Sequence, residues 1–302
     1  MSVALLALFL HGGSLSGSPM DLYPLARINR VAFFFLYRLA EKDMLPRALE
    51  REYQREHERY VAIGRAFVGV SEVLDECGVD FAVFKSLRPY PSTTVDIDVL
   101  VFDGFLDAVS CLVRRGYRIL GSGPESMTLA HPGGAVSIDL YREVAVSRVI
   151  YLDKEGLRGY ATWVETPFGR VRVLRPEADV VAFAAHSVIK EQMFTLADYL
   201  TVMGLLRRAD PYKVVRVAEM ERVTRALFLV FAAVLRVLRA VRENSYLSLP
   251  MKFRVPELCL ALWERLARQR GSLAYQALYL SRPVRLRKFL SEVLRHATRV
   301  SY

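Results

Sequence analysis

Residues 84–102 read FKSLRPYPSTTVDIDVLVF, placing Asp96 and Asp98 one residue apart inside a run of Val, Ile, Leu and Phe. Such a run has the texture of a buried strand. Asp is among the residues most depleted from strands, and an unpaired buried carboxylate costs several kcal/mol, so something must compensate. Side chains alternate along a strand, so Asp96 and Asp98 share one face while Val95, Ile97 and Val99 point to the other. A third acid, Asp139, stands in VSIDLY (136–141) between Ile138 and Leu140, the same local context. If the two strands are neighbours, three carboxylates converge.

Converging carboxylates repel one another and call for a counter-charge, and hard oxygen ligands favour Mg²⁺ over softer metals. Two Mg²⁺ ions about 3.5–4 Å apart stabilise the attacking and leaving oxygens of an in-line phosphoryl displacement. The plainer alternative places Asp96 and Asp98 on a solvent-facing strand edge, where charge discourages aggregation. Asp139 in its matching context favours the metal. Because like charges repel, Asn at either position 96 or 98 is expected to leave the metal-free fold intact or more heat-resistant.

The chain has 302 residues and 53% hydrophobic content, enough for a large core and too apolar for a disordered chain. Lys and Arg number 42 against 32 Asp and Glu, a net charge of +10 that would attract RNA, nucleotides or anionic lipid, or simply keep the protein soluble. Cys77, Cys111 and Cys259 lack the spacing of zinc sites or disulfide frameworks and read as reduced structural thiols of a cytoplasmic protein. SVALLALFLHGG (2–13) has no basic segment before it and reads as a core helix rather than a signal peptide. ALFLVFAAVL (226–235) is about half the length of a bilayer span and is bracketed by Arg225 and Arg236, so no transmembrane segment is expected.

Hydrophobic periodicity divides the chain into three parts: an N-terminal helical segment (1–76), a strand-rich core (77–175) and a C-terminal helical region (176–302). Within the core, VDFAVFKS and TVDIDVLVF are strands, GFLDAVSCLVRRGY is a helix, and YRIL is a further strand. SMTLAHPGGAVSIDLYRE and TWVETPFGRVRVLRP each pair two strands, turning at Pro132–Gly133–Gly134 and near Gly169. Pro176 opens a helix running through 177–208, with later breaks at Pro211, near Pro250 and at Gly271. The fold class is α+β (mixed α/β), its sheet confined to about 79–175.

Upstream of the acid pair, Ser86 ends the first strand and begins the loop to Asp96. This ordered set resembles the nucleotidyltransferase superfamily of the DNA polymerase β type: a Gly-Ser or Gly-Gly turn, acid-apolar-acid on a strand, and a third acid on a later strand. A closer resemblance is to the uncharacterised bacterial and archaeal nucleotidyltransferase family with a helical N-terminal segment and the signatures Leu-Lys-Gly, Asp-Ile-Asp and Val-Asp-Leu-His. The corresponding pieces here are VFKS, VDIDVLV, LVRRGY, SIDLY and FGRVRVLRPEADVV, across roughly residues 30–200. The chain departs from both patterns, with Lys85 or Ser86 where they have glycine and Tyr141 in place of the histidine.

The resemblance implies transfer of a nucleoside monophosphate from an NTP, with two Mg²⁺ held by Asp96, Asp98 and Asp139. It also implies that Ser86 holds phosphates and that Asp139 serves the acceptor side. Lys85 and Arg88 are candidate nucleotide-binding cations, or solvated loop residues. His186, Lys190 and Asp198 lie in the helical segment that often closes over the nucleotide, although a lone His on an apolar helix is ordinarily a satisfied core residue. His11, His57, His131 and His296 have no partners at metal-ligand spacing. Arginines in LLRRAD, RVLRAVRE and RPVRLRKFLSEVLRHATR suit RNA or tRNA phosphates, or form the wet faces of helices. A non-catalytic RNA- or nucleotide-binding protein on the same fold is the alternative function, and a protein whose basic helices bind a partner or membrane surface is a third.

Overall fold

A computed structural model describes residues 3–134, 136–146 and 149–266. Four helices come first: α1 (Val3–Leu10), α2 (Pro19–Ile28), α3 (Ala32–Glu41) and α4 (Arg47–Glu76). The Ser18 hydroxyl caps α2 by accepting the Met20 N–H, and Pro19 takes the first-turn position where a missing N–H costs nothing. α1 is buried on most sides, as its apolar sequence predicts for a core helix.

The strand-rich part contains β1 (Phe81–Val83), β2 (Asp96–Val101), α5 (Phe105–Arg114), β3 (Arg118–Ser122), β4 (Ser126–Ala130) and β5 (Ser137–Tyr141). A small hairpin of β6 (Val144–Val146) and β7 (Val149–Leu152) follows, then α6 (Lys154–Arg158), β8 (Ala161–Thr166) and β9 (Gly169–Leu174). The remainder is helical: α7 (Pro176–Ala185), a π-helical turn (His186–Glu191), α8 (Leu196–Leu206), α9 (Pro211–Glu221), α10 (Thr224–Arg242) and α11 (Val255–Leu266). The two-residue strands β10 (Met193–Phe194) and β11 (Met251–Lys252) pair with each other in a separate two-stranded sheet.

One mixed seven-stranded sheet runs β3-β4-β5-β2-β1-β9-β8, with β2–β5 and β1–β9 parallel and the other pairs antiparallel. Every strand of it lies inside the window expected from the sequence. Its two faces are packed differently. Phe81, Val83, Ile97, Val99, Ile138 and Leu140 join the α4 and α5 residues Phe67, Val70, Leu74, Ala108 and Leu112 in one apolar cluster. Ala82, Phe84, Leu100 and Tyr141 point the other way, into a larger cluster with α1, α7, α8 and α10. Asp96, Asp98 and Asp139 occupy that second face.

Two sequence expectations are corrected. Residues 177–208 do not form one helix: the chain leaves α7 through the π turn, Gln192 takes a left-handed φ of 58°, and a capping box of Thr195 and Asp198 starts α8 afresh. Cys77 and Cys111 are joined in a disulfide rather than both being free thiols, while Cys259 is free and exposed. The pair is 34 residues apart in sequence, and only the packing of α4 against α5 brings it together. The break expected at Gly271, His296 and the arginine cluster beyond residue 281 lie outside the described residues. Among those described, no helix is long and apolar enough to cross a membrane.

Candidate active site

Register places the carboxylates. β2 and β5 run parallel with Asp98 directly beside Asp139, and Asp96 sits two residues earlier on the same face of β2. One carboxylate oxygen from each of the three lies within 4.8 Å of the others. Asp98 is the buried member, with Asp96 and Asp139 partly exposed. Thr128, opposite Asp139 on β4, donates its hydroxyl to Asp139 Oδ1 at 2.6 Å.

The loop from Phe84 closes over Asp98. Ser86 N–H donates to the Phe84 carbonyl at 2.6 Å, an i to i+2 turn with Lys85 at its apex and a φ of 51°. A left-handed lysine in so tight a turn is strained by about 1–3 kcal/mol. The turn thus forms although glycine, the residue suited to it, is absent. Lys85 N–H donates to Asp179 Oδ1 at 2.8 Å, and Lys85 Nζ stands 2.6 Å from Asp98 Oδ1. The Ser86 hydroxyl donates to Asp98 Oδ2 at 2.7 Å and accepts the Asp98 N–H at 2.9 Å. Both oxygens of Asp98 are therefore engaged.

The acids differ electrostatically. Burial and the neighbouring Asp98 charge push the Asp96 carboxyl up to about 6, against the pull of Lys85. Burial alone would raise Asp98 as well, but the Lys85 and Lys190 ammonium groups hold it below its ordinary value. Asn substitution is consequently not equivalent at the two positions: at 96 it relieves repulsion, at 98 it strips Lys85 of its partner. Burial raises Asp179 to about 7, offset in part by the Lys85 N–H.

A cavity of about 370 Å³ opens beside Asp96 and Asp98, walled by the 85–95 loop, the π turn and helices α2–α4. Its wall carries Arg27, Arg30, Arg55, Arg59, Arg88 and Lys190. Arg59 also ties the loop down, donating to the Thr94 carbonyl at 2.7 Å. Arg88 is turned inward, donating to the Tyr90 hydroxyl at 3.0 Å and the Thr201 hydroxyl at 3.1 Å, so it braces the loop against α8. Lys190, brought round by the π turn, donates to the Tyr141 hydroxyl at 3.2 Å, and burial lowers its pKa. His186 is a satisfied, partly buried histidine: burial and Lys85 depress it to about 3, and Tyr151 and Glu191 flank its two nitrogens at 3.1 and 3.5 Å. Asp198 serves the α8 cap.

Thr128, Asp179, Arg30 and Arg59 join the site without any local sequence signal. Asp179 in PEADVV looks like an ordinary first-turn acid, and Thr128 matters only through its register against Asp139.

No protein-family profile and no curated protein matches the chain. Among solved structures it is similar to an antigenic nucleotidyltransferase-like protein from Paracoccidioides brasiliensis, with 13% identity and a TM-score of 0.38 over 63% of this chain and 95% of that one. It is similar to the antibiotic-resistance factor ANT(2'')-Ia at 12% identity and a TM-score of 0.33, over 61% of this chain and 97% of that one. A tRNA nucleotidyltransferase solved with a primer tRNA and an ATP analogue overlaps it at 15% identity and a TM-score of 0.24, over 70% of each chain. These overlaps are too slight to assign the chain to a family, and its chemistry has to be read from its own residues.

Proposed function

We propose that this protein is a Mg²⁺-dependent nucleotidyltransferase, moving a nucleoside monophosphate from an NTP to an acceptor hydroxyl with release of pyrophosphate. The observation that carries the reading is the side-by-side register of Asp98 and Asp139, with Asp96 completing a cluster at a cavity rich in cations. The donor set is all carboxylate oxygen, which fits a hard divalent ion. When bound, such an ion neutralises charge on the phosphoryl oxygens and the leaving pyrophosphate. Asp96 and Asp98 would hold it. Asp139 faces the acceptor and receives or steers the proton of its hydroxyl, while Thr128 fixes the orientation of the carboxylate.

Lys85, Ser86 and Arg88 form the nucleotide side of the reading, joined by Lys190 and the cavity arginines as partners for the triphosphate. Binding a phosphate through Ser86 requires it to exchange its present bonds to Asp98 and Phe84. The acceptor class is RNA or tRNA, a small molecule or a protein; the +10 net charge favours RNA. The N-terminal (1–76), catalytic (77–175) and C-terminal (176–302) parts are proposed as the functional units. A cytoplasmic location belongs to the same reading, but the Cys77–Cys111 bridge restricts it to cells whose cytosol keeps disulfides.

A second reading, a non-catalytic nucleotide- or RNA-binding protein, is favoured by one observation: Lys85 and Ser86 already satisfy both oxygens of Asp98. Incubation with each α-labelled NTP, Mg²⁺ and candidate acceptors including total tRNA separates the two. Transfer predicts a labelled acceptor and free pyrophosphate. Retention of NTP with no labelled acceptor under any condition supports the binding protein.

A further inference from the structure

The Lys85 ammonium is paired with Asp98, the buried acid of the carboxylate cluster. Its Nζ is 2.6 Å from Asp98 Oδ1, and both side chains are 7% exposed. Its backbone conformation and three contacts keep it there. The backbone at Lys85 is fixed in the left-handed region at the apex of the turn, its N–H is held by Asp179, and its ammonium lies over the rings of Phe84 and Tyr141, at 5.3 and 5.4 Å from their centroids. The Tyr141 hydroxyl in turn accepts from Lys190 Nζ at 3.2 Å.

Lys85 is thus no solvated loop cation. Withdrawing it would leave the buried Asp98 carboxylate without its charge partner and break the two cation–ring contacts. The other Asp98 oxygen accepts the Ser86 hydroxyl, so one lone pair on each oxygen is taken and fewer are left for bridging two ions. Asp96 and Asp139, by contrast, are partly open.

Resting on the metal-dependent reading above, we infer that Lys85 Nζ permanently fills one of the two cation positions of the site, so that the protein loads one divalent ion where a two-metal centre loads two. The charges agree with this. With the Asp98 charge met by Lys85, Asp96 and Asp139 contribute two negative charges when both are ionised, which a single divalent ion matches. Lys190 and the cavity arginines, several already paired within the protein, line the space an incoming polyphosphate would enter. Ammonium and metal share the work of charge neutralisation, but only the metal is exchangeable. Lys85 therefore acts as a fixed electrostatic group of the catalytic cluster, and the glycine expected at the turn is replaced by a residue with a task of its own.

The test counts ions. Purified full-length protein is equilibrated with Mn²⁺, and bound metal is measured by the loss of the free Mn²⁺ electron paramagnetic resonance signal, for the wild type, Lys85→Met and Lys85→Ala. Circular dichroism and thermal melting check that each variant folds. The expected result is one Mn²⁺ per wild-type chain and two per variant chain, the bound pair in the variants broadening each other's signal. Two ions on the wild type overturn the inference without any variant and leave the metal-dependent reading standing. One ion on the wild type and one on both folded variants overturns it as well. No bound ion on any of the three proteins overturns the metal-dependent reading itself.

Discussion

The two faces of β2 solve different problems with alternating residues of one strand. On one face Ile97, Val99 and Val101 are buried with the apolar side chains of α4 and α5, and any well-shaped hydrophobic set would serve. On the other, Asp96 and Asp98 stand beside Asp139, and their charges are tolerated only because Lys85, Ser86 and Thr128 reach them. The first face is a packing solution made by local pattern. The second is a set of pairwise contacts made by the fold, and each contact can be broken singly.

Asp98→Asn should produce the largest effect. On the proposed function it would remove a metal ligand, lowering transfer by about a thousandfold or more. It also strands the buried Lys85 ammonium, destabilising the metal-free protein by ~3–5 kcal/mol in chemical denaturation. A variant as stable as the wild type would mean that the ion pair contributes nothing and that the two faces are less different than described.

Asp96→Asn should be equally inactive but move stability the other way. The Asp96 carboxyl titrates at about 6 in the folded chain, above its ordinary 3.8, through burial and the Asp98 charge, with Asp139 adding to it and Lys85 and Lys190 opposing. Between those values the folded state holds a proton that the unfolded state has lost, so stability falls as pH rises through the window. In metal-free buffer the variant should therefore melt higher than the wild type at pH 8, by no more than about 3 kcal/mol, with the advantage vanishing as pH falls toward 4. An unchanged melting difference across that range would contradict the assignment.

Gly204→Ala probes the support of the loop. A Cβ there would lie 2.4 Å from Pro89 Cγ, so α8 and the 85–95 loop cannot both stay in place. A loss of about 1–3 kcal/mol is expected in denaturant titration, with weakened binding of Mg²⁺-NTP by fluorescence. Ile97→Val, between the two aspartates but on the apolar face, should cost only ~0.5–1.5 kcal/mol and leave transfer untouched. A marked loss of activity in that variant would show that the faces are coupled.

The difference between the faces also explains what could be read in advance. Alternation in VDIDVLV and the repeated context of SIDLY exposed the acids and their common side because strand periodicity is local. The sheet window and the helix start at Pro176 followed from turn residues for the same reason. The engagement of Asp98 by Lys85, the anchoring of Lys85 by Asp179 and the Thr128–Asp139 bond join residues from 11 to 94 positions apart, and no local pattern encodes them. The π turn was hidden because HSVIKE has helical composition, and the Cys77–Cys111 bridge because its spacing fits no framework.

The central claim, that these carboxylates serve nucleotidyl transfer, is tested most directly by which phosphate of the NTP moves. Wild-type protein and Asp139→Asn are incubated with Mg²⁺, total RNA and NTP labelled at either the α- or the γ-phosphorus. The account predicts acceptor labelling from the α position alone, abolished in Asp139→Asn. Labelling from the γ position, or α-labelling that survives in Asp139→Asn, would contradict it.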